Sequence, residues 1–381
     1  MKKSYVRIFS LILSIIMIGT FSIISSAYSL SEDDWIKLEE VCSTPAENFS
    51  WTFDEKTGVL SVSGNGGMPV FDEFNNESVT LYETPWLDLY DKITKIVVEE
   101  GITYISSGSF NGLTNVTNVV LPESLLAIGI WAFKWCTSLE LINIPDSVMF
   151  IGEQAFGTTS LKKVIIPDMI AIDSTSFLTY TIEEMYVPEN IELFGGSSIY
   201  LTNSPKVKKV VNKSTDVYAE PSTIRGKFMN TEFASKFVDV NMSAQNRLIE
   251  SVIKGESKTK DECYVESAKD ILGVTFENAN QFWDYANNQF GDSIAVYYCL
   301  AESVQEKYCI ENSIEYINIT ADYTDEEVVP PTEDSEEKEE NDQSATEDNS
   351  ESKNDKNLIT EFFEMVMDFI NNIIEWFKNI F

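Results

Sequence analysis

The chain has 381 residues, 43% of them hydrophobic and 12% aromatic, enough apolar material for two or three domains of ordinary size. It carries 62 acidic residues against 27 Lys and Arg, a net charge of −35, and no histidine. Those numbers exclude Ser-His-Asp and Cys-His nucleophilic chemistry, His general bases and His-ligated zinc or haem. They also argue against nucleic acid as a partner, because no basic excess exists to neutralise phosphates. What remains is a binding or structural protein, or an enzyme working with carboxylates alone.

The N-terminus reads as a cleaved signal peptide over residues 1–27. Lys2, Lys3 and Arg7 form a basic region, Ile8 to Ile24 an apolar one, and Ser25-Ser26-Ala27 supplies the small residues of a cleavage site. An uncleaved membrane anchor is the competing reading. The sequence therefore predicts a secreted or cell-surface protein; no LPxTG sorting signal is present in it. Five cysteines (Cys42, Cys136, Cys263, Cys299 and Cys309) are too few, and odd in number, for a disulfide framework. Cys299 and Cys309 are a candidate pair; the alternative is that all five are small buried hydrophobes.

Residues 28–91 are predicted as an entry module of β structure. Trp51 to Gly64 gives two strands joined at Lys56-Thr57-Gly58, and Gly64-Asn65-Gly66-Gly67 is a hairpin exit, since no GK[ST] or GxGxxG follows it.

Residues 92–213 repeat. TNVVLPESLLAI, ELINIPDSVMFI, KKVIIPDMIAI and EEMYVPENIELF align on Pro122, Pro145, Pro167 and Pro188, with Glu99 before them and Lys213 after; the spacings are 23, 23, 22, 21 and 25. Apolar columns stand in register before the anchor (Ile96, Val119, Ile142, Val164, Met185 and Val210, for example) and after it (Phe110, Phe133, Phe156). Each unit reads LxxVxIPxxVxxIGxxAF. The alternation before proline is a short strand that the proline ends. The xxAF segment turns the chain back, and Gly129, Gly152 and Gly195 sit where a turn calls for positive φ. One such unit cannot bury its own apolar face, so units must stack.

These residues resemble the BspA-like leucine-rich repeats of secreted and surface proteins from anaerobic bacteria. The likeness is carried by Leu139 to Val148, by Ile151-Gly152-Glu153-Gln154-Ala155-Phe156 and by Phe133-Lys134-Trp135-Cys136-Thr137-Ser138-Leu139, which is similar to the family's AFxxCxSL junction. Thr84-Pro85-Trp86 with the entry strands, and Ser303 to Tyr316 near the other end, look like that family's opening and closing units. The resemblance implies a leucine-rich repeat solenoid capped by an N-terminal β-hairpin module and a C-terminal α+β cap. It points to adhesion and host or community contacts, and it assigns Cys136 to packing.

In such a solenoid the strand residues between core positions face outward. They are Lys95 and Val97, Asn118 and Val120, Leu141 and Asn143, Lys163 and Ile165, Glu184 and Tyr186, and Lys209 and Val211. The second column is mostly apolar, which points to a partner; the alternative is that the region 214–292 or a dimer mate covers it. Residues 214–321 hold a helical region (Phe233, Phe237, Leu248, Val252, Ile271, Phe276, Phe282 and Tyr285 suggest helices packed under the cap) and then the cap itself. Residues 322–357, acidic and nearly free of apolar side chains, are predicted as a disordered linker. Residues 358–381 are predicted as an amphipathic helix, with polar positions at Glu361, Glu364, Asp368, Asn371/Asn372, Glu375 and Lys378/Asn379. That helix self-associates, attaches to the envelope or packs on the parent domain.

Chemistry is scarce. There is no GxSxG, SxxK or EF-hand loop, and with 62 acids any carboxylate pair is better read as solvated surface. Trp131, Trp135 and Trp283 either stack on sugars or pack in the core. The sequence thus predicts a non-catalytic protein without metal or cofactor, binding an extracellular protein or glycan. A scaffold of the cell's own envelope held by 358–381 is the alternative, and a carboxylate hydrolase the third class.

Overall fold

The computed structural model describes residues 30–75, 80–196, 198–201, 207–221, 228–229, 231–256, 258–287, 290–291, 296–320 and 322–323. All lie in the first of two units into which the chain divides, Met1–Pro331 and Thr332–Phe381. The signal peptide, nearly all of the linker and the terminal helix predicted above fall outside the described residues.

Stacking starts from one strand. α1 (Glu32–Ser43) leads into β1 (Glu47–Asp54) and β2 (Val59–Gly67), an antiparallel hairpin with Trp51 opposite Val62. Asp54 holds the turn, its carboxylate accepting from the Lys56 amide and the Thr57 hydroxyl, both at 2.9 Å. Those bonds keep its pKa below the ordinary carboxylate value. A small hairpin follows, β3 (Glu73–Asn75) with β4 (Thr80–Tyr82). β2 then pairs in parallel with two strands at once: through Val59–Val62 with β5 (Lys95–Val98), and through Gly66 and Gly67 with β6 (Ile102–Ile105).

Every later coil repeats that division, one strand before its proline and one after. They are β7 (Asn118–Val120) and β8 (Ala127–Ile128), β9 (Leu141–Ile142) and β10 (Phe150–Ile151), β11 (Lys163–Ile165) and β12 (Ile170–Asp173), β13 (Glu184–Val187) and β14 (Ile191–Phe194). The pre-proline strands form a first ladder and the post-proline strands a second, β2-β6-β8-β10-β12-β14, all parallel. The sequence predicted one strand per unit. The second was hidden because its apolar residues recur three apart, as Ile102 and Ile105 do, instead of alternating.

The AF turns form a third side with its own inter-coil bonds, Phe110 N to Ala132 O at 2.9 Å and Phe133 N to Ala155 O at 2.7 Å. Inside it runs a ring stack. Trp86, Phe110, Phe133, Phe156 and Phe177 follow one another at centroid distances of 5.6, 5.3, 5.4 and 5.3 Å, all essentially unexposed. Trp86 of the Thr84-Pro85-Trp86 segment is therefore the first member of the phenylalanine column, and its indole N–H donates to Ser109 O at 3.0 Å. The glycine expectation holds at Gly195, where φ is +78°, but not at Gly129 or Gly152. Those two are needed for space: a Cβ there would sit 2.7 Å from the Ser107 or Ile130 backbone nitrogen.

After β15 (Ser198–Leu201), β16 (Lys209–Asn212) and β17 (Tyr218–Pro221), the chain leaves the solenoid. β18 (Phe228–Met229) and β19 (Phe290–Gly291) pair antiparallel and bracket three helices, α2 (Thr231–Ile253), α3 (Lys260–Leu272) and α4 (Ala279–Asn287). The first ladder then resumes, with β20 (Val296–Leu300) on β16 and β21 (Tyr316–Ile319) on β20. Between them α5 (Val304–Asn312) is tied inward by Gln305, whose buried carbonyl accepts from Asn212 Nδ2 at 3.0 Å and Ala219 N at 2.8 Å.

The helices build a second core from the predicted residues Phe233, Phe237, Leu248, Phe276 and Phe282. They lie along the junctions that follow the AF turns and not under the cap. Trp135 and Tyr180 join their core, and the Thr137 hydroxyl donates to Asn246 Oδ1 at 2.5 Å. All five cysteines are free, and all but Cys42 are buried, so Cys299 and Cys309 do not pair. Burial pushes the Cys42 and Cys299 thiols up to about 12, leaving them protonated at neutral pH.

Two predictions follow from this packing. Phe133→Ala removes the middle ring of the stack and is expected to cost about 3–5 kcal/mol in urea unfolding. Lys134 lies 4.3 Å from the Trp131 ring centre and 4.8 Å from that of Trp135, where burial lowers its pKa to about 8 despite the opposing pull of Glu153. An unfolded lysine amine titrates near 10.4, so between pH 8 and pH 10.4 the unfolded chain binds more protons. The wild type should gain thermal stability relative to Lys134→Met as pH rises through that window, and parallel melting curves at both ends of it check the sign.

Candidate binding face

Alternation in the first ladder sorts its side chains. Ile96, Val98, Val119, Val164, Ile166, Met185, Val187 and Val210 point into the core and are buried. Their neighbours form two outward columns whose register the ladder fixes. One runs Lys95, Asn118, Leu141, and beyond an interruption Lys163, Glu184, Lys209 and Val296. The other runs Val97, Val120 and then Ile165, Tyr186, Val211, Tyr298 and Ile317, with Asn143 at the interruption.

Both other long sides carry something. α1 lies over the outward residues of the second ladder: Leu38 is buried with Tyr104, Ala127 and Ala171, and Trp35 meets Phe150 edge-on at 6.5 Å. Helices α2 to α4 occupy the turn junctions. Neither group belongs to the first-ladder face, where Val120 is 43% and Leu141 44% exposed. The described helices of region 214–292 pack elsewhere and leave Val120 exposed.

The face has two halves. Toward the N-terminus Lys95, Val97, Asn118, Val120, Leu141 and Asn143 present an aliphatic and amide surface, and the Asn118 Oδ1 has no hydrogen-bond partner among the described residues. Toward the C-terminus the surface is aromatic and charged. Lys163 is 4.0 Å from Glu184, the Tyr186 hydroxyl donates to Glu184 at 3.1 Å, and Lys163 and Lys209 lie 5.0 and 5.6 Å from the Tyr186 ring centre. Lys209 also lies 5.3 Å from the ring of Tyr298, which stacks on Tyr323 at 6.0 Å. Tyr186 and Val211 are buried, at 6% and 3% exposure, where the sequence placed them facing solvent.

Between the halves the ladder is interrupted. β9 ends one sheet and β11 begins another, and a groove of about 350 Å³ opens there. Ile142, Ile144, Ile165 and Ile166 line it, with Asp146, Asp168, Glu189 and Lys213 also at its walls. The sequence reading missed those four charged residues, which follow the prolines or replace one. It also missed Tyr298 and Ile317, which the helical insertion separates from the repeats they continue. Among the described residues no three potential metal ligands converge, and no helix is long and apolar enough to cross a membrane.

Residues 89–206 match a family model described as a BspA type leucine rich repeat region, in six copies. No curated protein matches the chain. Among solved structures, it is similar to a leucine-rich repeat protein from Eubacterium ventriosum at 19% identity, over 47% of this chain and 58% of that one, with a TM-score of 0.31. A leucine rich repeat protein of T. pallidum matches at 17% identity, over 44% and 70% of the two chains, with a TM-score of 0.27. One from Bacteroides ovatus matches at 12% identity, over 46% and 67%, with a TM-score of 0.25. The chain thus spans less than two thirds of the first of these.

Proposed function

We propose, from a chain whose residues 89–206 are BspA-type leucine-rich repeats, that it is an exported interaction protein which binds an extracellular protein or glycan through the outward face of its first ladder. Repeats of this type are generally non-catalytic protein-interaction modules of surface or secreted proteins. One observation carries the assignment to this face: α1 and the helical insertion pack on the other two sides, while the first ladder keeps Val97 and exposed Val120 in register in one column and exposed Leu141 in the other. Single exposed apolar residues are ordinary, but a patch of neighbouring ones on one face is the mark of an interaction site.

In this reading residues 1–27 are the cleaved signal. The β1–β2 hairpin and the α5–β21 unit close the two ends of the apolar core, as a solenoid requires. Residues 322–357 act as a linker, and 358–381 as the segment that holds the protein to itself or to the envelope. Lys95, Val97, Asn118, Val120, Leu141, Asn143, Lys163, Ile165 and Glu184 contact the partner, and Tyr186 shapes the site from beneath its lysines.

The test is an array of matrix proteins, mucins and polysaccharides probed with the purified chain and with a Lys95→Glu/Val120→Asp variant. Both substituted side chains point outward, so circular dichroism should be unchanged. Saturable binding to at least one component, weakened about tenfold or more in the variant, is expected. A folded protein that binds nothing would turn attention to the envelope-scaffold role of residues 358–381.

A further inference from the structure

The interruption of the first ladder has a definite geometry. At equivalent positions along it, Thr117 N donates to Thr94 O at 2.9 Å, Glu183 N to Lys162 O at 2.7 Å and Lys208 N to Glu183 O at 2.8 Å. At the interruption the same bond, Lys162 N to Glu140 O, stretches to 3.4 Å, and past it no ladder pairing joins β9 to β11. The same two coils stay closed along their other sides, where Phe150 and Ile151 pair with Ala171 and Ile172, and Phe156 N bonds to Ser176 O. The groove is therefore a wedge: fastened at Glu140 and Lys162, hinged along the second ladder, and open toward Pro145 and Pro167.

We propose that this wedge receives an extended segment of a partner polypeptide, with aliphatic side chains at alternate positions and basic residues where it passes the prolines. The proposal rests on the first-ladder face being the binding surface, and it specifies the partner's chemistry at one point on that face. Three observations select this occupant. Both walls are strand edges, β9 pairing only with β7 and β11 only with β13 among the described residues, and a strand edge presents amides and carbonyls that another strand satisfies in register. Most side chains between the edges are aliphatic (Leu141, Ile142, Ile144, Ile165 and Ile166), and among the described residues no aromatic ring lines the groove for a sugar to stack on. At the wall Asp146, Asp168 and Glu189 outnumber Lys163 and Lys213, and Asp146 and Glu189 have no ion-pair partner among the described residues. A chain of net charge −35 also draws a basic segment toward it.

The test uses the full chain and a capped, fluorescein-labelled nonapeptide, Lys-Lys-Val-Thr-Val-Thr-Val-Lys-Lys, whose ends are alike so that either strand direction is sampled. One companion replaces the lysines by glutamates, and a second keeps the sequence but carries N-methyl groups on alternate backbone amides. Fluorescence anisotropy is read at about 150 mM salt, where the Debye length is about 8 Å and diffuse attraction is damped. The nonapeptide is expected to bind saturably in the micromolar range. Both companions, and an Asp146→Lys/Glu189→Lys variant of the protein, should bind at least about tenfold more weakly. Amide hydrogen exchange should slow in residues 141–144 and 163–165 on addition of the nonapeptide.

Equal binding of the three peptides, no saturable binding of the first, or protection confined to other segments overturns the proposal. So does a polysaccharide that protects these two segments when the peptide does not. The array experiment separates this inference from the broader reading. An array partner lost in Lys95→Glu/Val120→Asp, with no nonapeptide binding, leaves the face intact and removes the wedge. Nonapeptide binding with the expected protection, and no array partner, sustains the wedge and removes the broader surface.

Discussion

A single coil of this chain leaves most of its backbone unsatisfied. Its strands are two to four residues long, its turn bonds partly to itself and partly to the next coil, and the strands of one coil find their backbone partners on the next. Such groups cannot be buried without partners. Everything else in the structure follows from meeting that demand three times per coil. The pre-proline strand, the post-proline strand and the AF turn each have a bonding partner in the coil above, while the Trp86 to Phe177 ring stack fills the space between them. β2 satisfies the requirement at the start because it is long enough to serve two ladders, and its hairpin partner β1 covers its remaining edge.

Satisfying the backbone along the coils leaves the outward side chains of each side as a separate problem, and the three sides solve it differently. The second ladder presents Tyr104, Ala127, Phe150 and Ala171, too apolar to stand in water, and α1 covers them. The junctions behind the turns present Trp135 and Tyr180, and the helical insertion absorbs them. The first ladder places lysines, amides and a carboxylate in one column and aliphatics in the next. The ammonium groups of Lys163 and Lys209 lie over its aromatic rings. Function is assigned where packing was left incomplete.

Much of the fold was legible because repetition multiplies a weak local signal. One proline after an alternating triplet means little, whereas Pro122, Pro145, Pro167 and Pro188 with their columns mean a stack. Features that do not repeat stayed hidden. α1 went unseen because residues 28–91 were read from their strand pattern, although Ser31 with Asp34 forms a capping box. Tyr298 and Ile317 could not be joined to their columns while some eighty residues stood between them and the last clear repeat. At Gly129 and Gly152 the residue type was significant but the cause was misread, since turn conformation and close approach leave the same letter in a sequence. The candidate face was legible as two columns. Its wedge was not, for it lies in a lengthened bond between coils that spacing does not reveal: Val164 to Met185 is shorter still than Ile142 to Val164, yet β11 and β13 pair.

The helical insertion enters and leaves through one paired neck, Phe228–Met229 against Phe290–Gly291, yet it touches the solenoid at several heights. Stacked repeats behave as a one-dimensional system in which each coil feels only its neighbours, so a damaged end can fray without disturbing the middle. Contacts at Trp135 and Thr137 in one coil and Tyr180 two coils farther on connect levels that do not otherwise meet. They add a second dimension to the cooperativity: a coil that loosens must break with the bundle as well as with its neighbours. The insertion thus works as a splint, and the stiffness it lends allows two of the three coils it spans to part along one edge while remaining a single folded body.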